Sequence, residues 1–256
     1  MENFIFLSPH YDDVCFSLGF VASKLTNLEL INIFTHSSYA KPHILTTLPI
    51  GVDLADSVSK IRAQEDAIFA KRYKFQRIAL GLDDAGLHGA DPFNFKGIDA
   101  EQATLERILL PLLKEKADSN GSAVIFCPLA IGGHRNHVST FNAIANHADK
   151  LENQGASICF YEDLPYASYK DMRLRRIGQL QEYFSANGYK RLHLVLDDEA
   201  VASKLEAIQI YDSQMRRDPP PNIAKYSPAT DIGDIHEALW VKESSTQVLP
   251  CQFLGV

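Results

Sequence analysis

Residues 6–19 read FLSPHYDDVCFSLG. An apolar run ends abruptly in His10, Tyr11, Asp12 and Asp13, and apolar character resumes with Val14, Cys15, Phe16 and Leu18. The preceding NFIFLS, residues 3–8, has the length and composition of a short buried strand. Residues 13–26 carry apolar residues at helical spacing. A strand that passes into a helix through a histidine and two carboxylates sets three chemically versatile side chains at its carboxyl end. In parallel α/β sheets that edge is where ligands bind.

The alternation continues along the chain. Strands are predicted over 28–36, 77–82, 123–130, 156–165 and 191–196. Helices are predicted over 57–72, with Ser57 as N-cap, over 100–117, interrupted by Pro111, and over 137–152 and 199–214, with one more between the last two strands. Apolar strands alternating with helices predict an α/β fold with a mostly parallel sheet and helices on both faces. No repeat and no clear linker divides the chain, so residues 1–256 are expected to form a single domain. Three longer polar or Pro/Gly-rich stretches interrupt the pattern, at about 37–56, 83–99 and 212–236. Loops of that length in a compact domain are functional or disordered. Pro219 to Pro221 should hold the last one extended.

Composition excludes several classes. The chain has 256 residues, 46% of them hydrophobic, which suffices for a sizeable core. The net charge of −7 is interspersed and no Lys/Arg-rich run occurs, so no nucleic-acid or membrane partner is expected. The N-terminus lacks a basic segment and a cleavage site, and no run approaches the roughly 20 apolar residues of a membrane span. The expected location is cytoplasmic. The four cysteines lie far apart and form no CxxC, so a disulfide framework is not expected.

A second stretch, PLAIGGHRNHVST at 128–140, follows the predicted strand 123–130 and opens the next helix. His134 and His137 therefore also stand at a strand's carboxyl end, and their i, i+3 spacing puts them on one side of a helical turn. Either stretch alone has a plain structural reading. Asp12 or Asp13 can cap a helix, and the two histidines can face solvent after a glycine turn. Together they present imidazoles and carboxylates, the natural donors for a catalytic zinc, with one carboxylate to spare as a base. His36 ends a strand and is open to a site role or a loop role. His43, His88, His147, His193 and His236 are isolated.

The two stretches resemble the signatures of the LmbE/PIG-L family of zinc-dependent N-deacetylases: a His, one residue, then Asp-Asp, and later HxDH. RAQED (62–66), LGLDDAGL (80–87), YEDLPYA (161–167) and KLEAIQIYDSQM (204–215) are similar to further segments of that family, and the likeness spans most of residues 3 to 240. The resemblance implies a Rossmann-like, LmbE-like fold and removal of an acetyl group from an N-acetylated amino sugar or related small molecule. It implies His10, Asp13 and His137 as zinc ligands, with iron(II) as an alternative metal. It implies Asp12 as general base and His134 as the group that polarises the amide carbonyl. Arg62 and Asp84 are its weaker candidates for contacting sugar hydroxyls. Two positions depart from the pattern. Tyr11 stands between His and Asp-Asp, and Asn136 replaces the acidic residue of HxDH; an amide there supplies no charge to support His134. Tyr39, Phe93, Phe95 and Tyr226 are available to meet a sugar ring.

Three competing readings stand beside this one. The chain can keep the fold without chemistry, a view that only Asn136 favours. It can hydrolyse another amide or an ester. A dinucleotide-dependent oxidoreductase would need a GxGxxG turn, where this chain has carboxylates that repel a pyrophosphate. Among substrates, free amino sugars, aminoglycosides, glycopeptides, glycolipids and thiol precursors stay open, as does the oligomeric state.

Overall fold

A computed structural model describes residues 2–87, 91–120, 122–215, 222–229 and 233–242. Seven strands form one sheet: β1 (Asn3–Ser8), β2 (Leu28–Asn32), β3 (Phe75–Ala79), β4 (Ala123–Pro128), β5 (Ala156–Tyr161), β6 (Tyr189–Val195) and β7 (His236–Lys242), in the order β3-β2-β1-β4-β5-β7-β6. Pairing from β3 through β5 is parallel, and β7 runs antiparallel to both neighbours. The helices are α1 (Asp13–Lys24), α2 (Pro42–Leu45), α3 (Leu54–Tyr73), α4 (Ile98–Asn120), α5 (Arg135–Ala145), α6 (Ala148–Glu152), α7 (Lys170–Asn187) and α8 (Asp198–Ile208). α1 packs with α3 and α8, and α4 packs with α5.

The sheet grows from β1 in two directions, toward β2 and β3 on one side and toward β4 and β5 on the other. That makes β1/β4 the topological switch point, where a crevice opens at the strands' carboxyl ends. The two strands are fully buried, and Phe6 stacks on Phe126 at 4.4 Å and meets Phe75 edge-on at 5.3 Å. Leu105, Leu109 and Leu113 of α4, spaced at i, i+4, are completely buried.

Several boundaries differ from those expected. β2 stops at Asn32, although Ile33 and Phe34 still bond the carbonyls of Ser8 and Pro9. α3 begins at Leu54, capped by Asp53, whose extended backbone lets its carboxylate accept the Asp56 N–H at 2.9 Å; Ser57 lies inside the helix. α4 runs through Pro111, which sits on the exposed side of the helix. The helix expected over 137–152 is two, parted where His147 leaves helical geometry (φ −117°, ψ 11°). The one expected over 199–214 ends at Ile208.

β7 was not anticipated, and it closes the sheet by inserting between β5 and β6. It also explains a break in α1 at Leu18 (φ −132°, ψ 22°). The Glu237 carboxylate of β7 accepts the N–H groups of Phe20 and Val21, each at 2.9 Å, and pairs with the buried Lys204 of α8 at 2.7 Å. No helix among the described residues is long and apolar enough to cross a membrane. Cys15, Cys127 and Cys159 are buried and free. His88, Pro219 to Pro221 and Cys251 lie outside the described residues.

Candidate metal centre and active site

The turn after β1 commits its two carboxylates to different partners. Asp12 holds the N-cap position of α1, yet its side chain caps nothing; the Ser8 hydroxyl accepts the Val14 N–H instead, at 3.3 Å. Asp12 receives the Arg62 guanidinium from α3, Nη2 to Oδ1 at 2.7 Å. Arg62 is buried and also donates to the Ser37 hydroxyl at 3.2 Å. Asp13 turns inward and accepts the His10 backbone N–H at 2.7 Å.

Three donor atoms meet at one corner. His10 Nδ1, Asp13 Oδ2 and His137 Nε2 form a triangle with every edge 3.3 Å. Donors bound about 2.0–2.1 Å from a tetrahedral zinc stand roughly 3.3 Å apart, so the triangle has the size of one face of such a site. Ring nitrogens of His10, His134 and His137 also lie within 4.8 Å of one another. The triangle with Asp13 is the tighter set, and its imidazoles are held from behind. His137 Nδ1 pairs with Asp163 Oδ1 at 2.7 Å, and Asp163 Oδ2 accepts the Ile131 N–H at 3.0 Å. His10 Nε2 lies 3.1 Å from Asn136 Oδ1 and 3.5 Å from Asp84 Oδ1. Such outer partners set which ring nitrogen faces a metal.

The electrostatics agree with a cation site. Burial opposes the charge on Asp13, but the imidazoles of His137 and His10 hold its carboxyl well below the usual range. Burial likewise opposes protonation of His137, but Asp13 and Asp163 raise its pKa to about 9. His134 behaves differently. Burial, then the nearby His10 and His137, push its pKa down to about 2, so it is a neutral imidazole at any working pH. It occupies the N-cap position of α5 without capping it, and its Nδ1 is buried with no partner among the described residues.

A cavity of about 560 Å³ opens over this corner. All three long loops line it: Tyr39 and Lys41 from the first, Asp84, Gly86, Pro92 and Phe93 from the second, Gln214, Met215, Lys225 and Tyr226 from the third. Tyr166, from the 3₁₀ turn Tyr166–Ser168, closes the wall beside His137, 6.3 Å between ring centroids. It packs against Gly132, where an added Cβ would come within 2.5 Å of the ring.

The structure thus gathers every residue expected at the site: His10, Asp12, Asp13, Arg62, Asp84, His134 and His137 all line the cavity. Arg62 and Asp84, expected at sugar hydroxyls, are committed to protein partners. Arg62 pairs with Asp12; Asp84 faces His10 and accepts the Ser37 hydroxyl at 2.6 Å. Asn136, expected to act on His134, points at His10 instead. His36 stands outside the cavity, paired with Asp83 at 2.7 Å, and Phe95 does not line it. His43 and His147 pair with Asp212 and Glu106. Sequence reasoning missed Asp163, Tyr166 and Glu101. The first two follow β5, so the strand-end rule applied to Glu162-Asp163 finds them. Glu101 comes from the flank of α4 and gives no local signal.

No protein-family model matches the sequence. The chain is 29% identical over 214 residues, 82% of its length and 72% of the relative's, to 2'-N-acetylparomamine deacetylase of Streptomyces fradiae. Its fold is similar to that of a deacetylase from the teicoplanin biosynthesis pathway, with TM-score 0.65 at 19% identity over 94% of this chain and 97% of the other. It is also similar to N,N'-diacetylchitobiose deacetylase of Pyrococcus horikoshii, with TM-score 0.53 at 16% identity over 97% and 86%. At these identities the structural matches establish the fold. That fold is the LmbE-like one, with the two histidine motifs at its switch point.

Proposed function

We propose that this chain is a metal-dependent hydrolase that removes an N-acetyl group from a sugar-containing small molecule. The observation that carries the reading is the 3.3 Å triangle of His10, Asp13 and His137, with Asp12 beside it and outside it. Two oriented imidazoles and one carboxylate fit zinc or iron(II). When bound, such an ion supplies Lewis acidity, lowering the pKa of water and polarising an amide carbonyl.

Asp12 is the base in this reading. Its ion pair with Arg62 fixes the carboxylate and keeps it from capping α1, free to take a proton from a water in the cavity. The same proton passes to the amine as the C–N bond breaks, because an amide anion is too poor a leaving group to depart unprotonated. His134, neutral, donates a ring N–H to the oxyanion that forms on the acetyl oxygen, a contact worth roughly 3–4 kcal/mol in other enzymes. The products are acetate and a free amine. Tyr39, Phe93 and Tyr169 stand about half exposed around the cavity, offering flat faces to a sugar ring or an aglycone. The names of the relatives support a sugar-bearing antibiotic precursor as substrate.

The test combines metal analysis of the purified protein with acetate release from a panel of N-acetylated aminoglycosides, glycopeptides and chitobiose. One equivalent of zinc or iron and turnover of at least one panel member are expected. Metal binding without acetate release from any of them overturns the proposed activity.

A further inference from the structure

Glu101, in the first turn of α4, reaches three donors on α5. Its Oε1 accepts from Asn136 Nδ2 at 3.2 Å and from the Ser139 hydroxyl at 2.7 Å, and its Oε2 accepts from Arg135 Nε at 2.9 Å. Arg135 is fixed in turn by the carbonyls of Asn94 and Lys96, at 3.2 and 3.1 Å. This clamp leaves the fully buried Asn136 amide one way to face. With Nδ2 against a carboxylate, Oδ1 is directed to the other side, where it accepts the Ala85 N–H at 2.9 Å and stands 3.1 Å from His10 Nε2. A flipped amide would set oxygen against carboxylate and NH2 against N–H, turning both contacts repulsive.

An amide oxygen at His10 Nε2 requires the ring proton there. In the neutral ring that a metal ion would take, Nδ1 then carries the lone pair, and Nδ1 is the atom that faces Asp13 and His137. Asp84 Oδ1, at 3.5 Å, draws the same proton at longer range.

We infer that Glu101 is a positioning residue for the metal centre: through Asn136 it sets the tautomer of His10 that offers Nδ1 to the ion. This rests on the proposed metal centre, and its test separates the two.

The polarity of the pair can be reversed by mutation. N136D places a second carboxylate against Glu101, so one of the two must hold a proton. N136D/E101Q restores one donor and one acceptor with their places exchanged. Cobalt(II) affinity is measured by the visible d–d band and by chelator competition for wild type, D13A, E101A, N136D and N136D/E101Q, with thermal unfolding of each as a folding check. Wild type is expected to bind one ion and D13A none; a wild type that binds no ion defeats the metal centre itself. Given that binding, N136D and E101A are expected to bind about 10–100-fold more weakly, the usual cost of losing an outer partner, and N136D/E101Q to regain most of the loss over N136D. E101A with wild-type affinity, or a double variant no tighter than N136D, overturns the positioning role. E101A decides the matter if N136D does not fold.

Discussion

Glu162 and Asp163 are neighbours after β5, both buried, and they serve opposite kinds of cluster. Glu162 is met by two guanidiniums and an indole: Arg173 Nε at 2.6 Å, Arg191 Nε at 2.7 Å and Trp240 Nε1 at 3.1 Å. Burial opposes its charge, but the arginines hold its pKa below the ordinary value. This cluster is closed, because its donors end on protein acceptors: the Glu162 carboxylate and, for Arg191 Nη2, also His236 Nε2 at 3.0 Å. Asp163 instead holds His137, whose other nitrogen joins two further donors aimed at a common point under a cavity. Buried charge therefore does not by itself mark a site. Convergence of donor atoms that do not use each other up does.

The largest expected effect comes from opening the reactive cluster. D12N should retain metal while kcat falls about 10²–10⁴-fold, the range for loss of a general base. H137A should lose the metal together with activity. Metal content and acetate release, measured on the same preparations, distinguish the two variants. Full activity in D12N would remove the base.

Breaking the closed cluster should show in stability and not in chemistry. E162A strands two arginine side chains and is expected to lower the unfolding free energy by about 3–5 kcal/mol in urea denaturation. Metal affinity should change less than twofold, since Asp163 and not Glu162 touches His137. A loss of metal in E162A with stability intact would erase the distinction between the clusters.

The difference between the clusters also decides what could be read in the sequence. The reactive cluster was legible because strand ends at a switch point collect ligands, and β1 and β4 each end in a histidine motif. The directions of the side chains were not legible. Spacing alone does not separate Asp12 from Asp13; the family resemblance assigned their roles, while the partners that orient them, Arg62 of α3 for Asp12 and the His10 N–H for Asp13, appear only in the fold. Asn136 is legible as a departure from HxDH, but its partner Glu101 lies 35 residues away on another helix. The closed cluster was invisible for the same reason, since Arg173, Arg191 and Trp240 come from α7, β6 and β7. β7 itself was missed, and with it the antiparallel closure of the sheet. Its seven residues follow a long polar loop, and only pairing with β5 and β6 makes them a strand.

Asp66 of α3 falls between the two kinds. It is fully buried and accepts from Asn32 Nδ2 at 2.8 Å, Arg77 Nη1 at 3.0 Å and the Tyr211 hydroxyl at 3.2 Å. Burial outweighs the single guanidinium and raises its pKa from 3.8 to about 6. The folded state then binds the proton more tightly than the unfolded chain does. Its stabilising contribution is complete below pH ~4 and is lost as the pH rises through ~6, a total of about 3 kcal/mol for a shift of this size. The unfolding free energy of wild type minus that of D66N should therefore fall by about this amount between pH 3.5 and 7. A flat difference would show that Arg77 balances the charge after all and that Asp66 belongs with Glu162.

The smallest expected effect tests whether the open cluster depends on its wall as well as its donors. Gly132 has a φ of +89°, a left-handed conformation that alanine adopts only under strain, and an added Cβ would meet the Tyr166 ring at 2.5 Å. G132A must therefore shift the backbone or displace Tyr166, at a cost of about 1–3 kcal/mol in stability. The metal triangle contains neither residue, so metal content should stay at the wild-type level. Tyr166 walls the cavity beside His137, so its displacement should appear as a raised KM in the acetate-release assay, and Y166A should raise KM as well. If G132A alters neither KM nor stability, the fit of the ring against the glycine is idle, and the cavity wall is set by other residues.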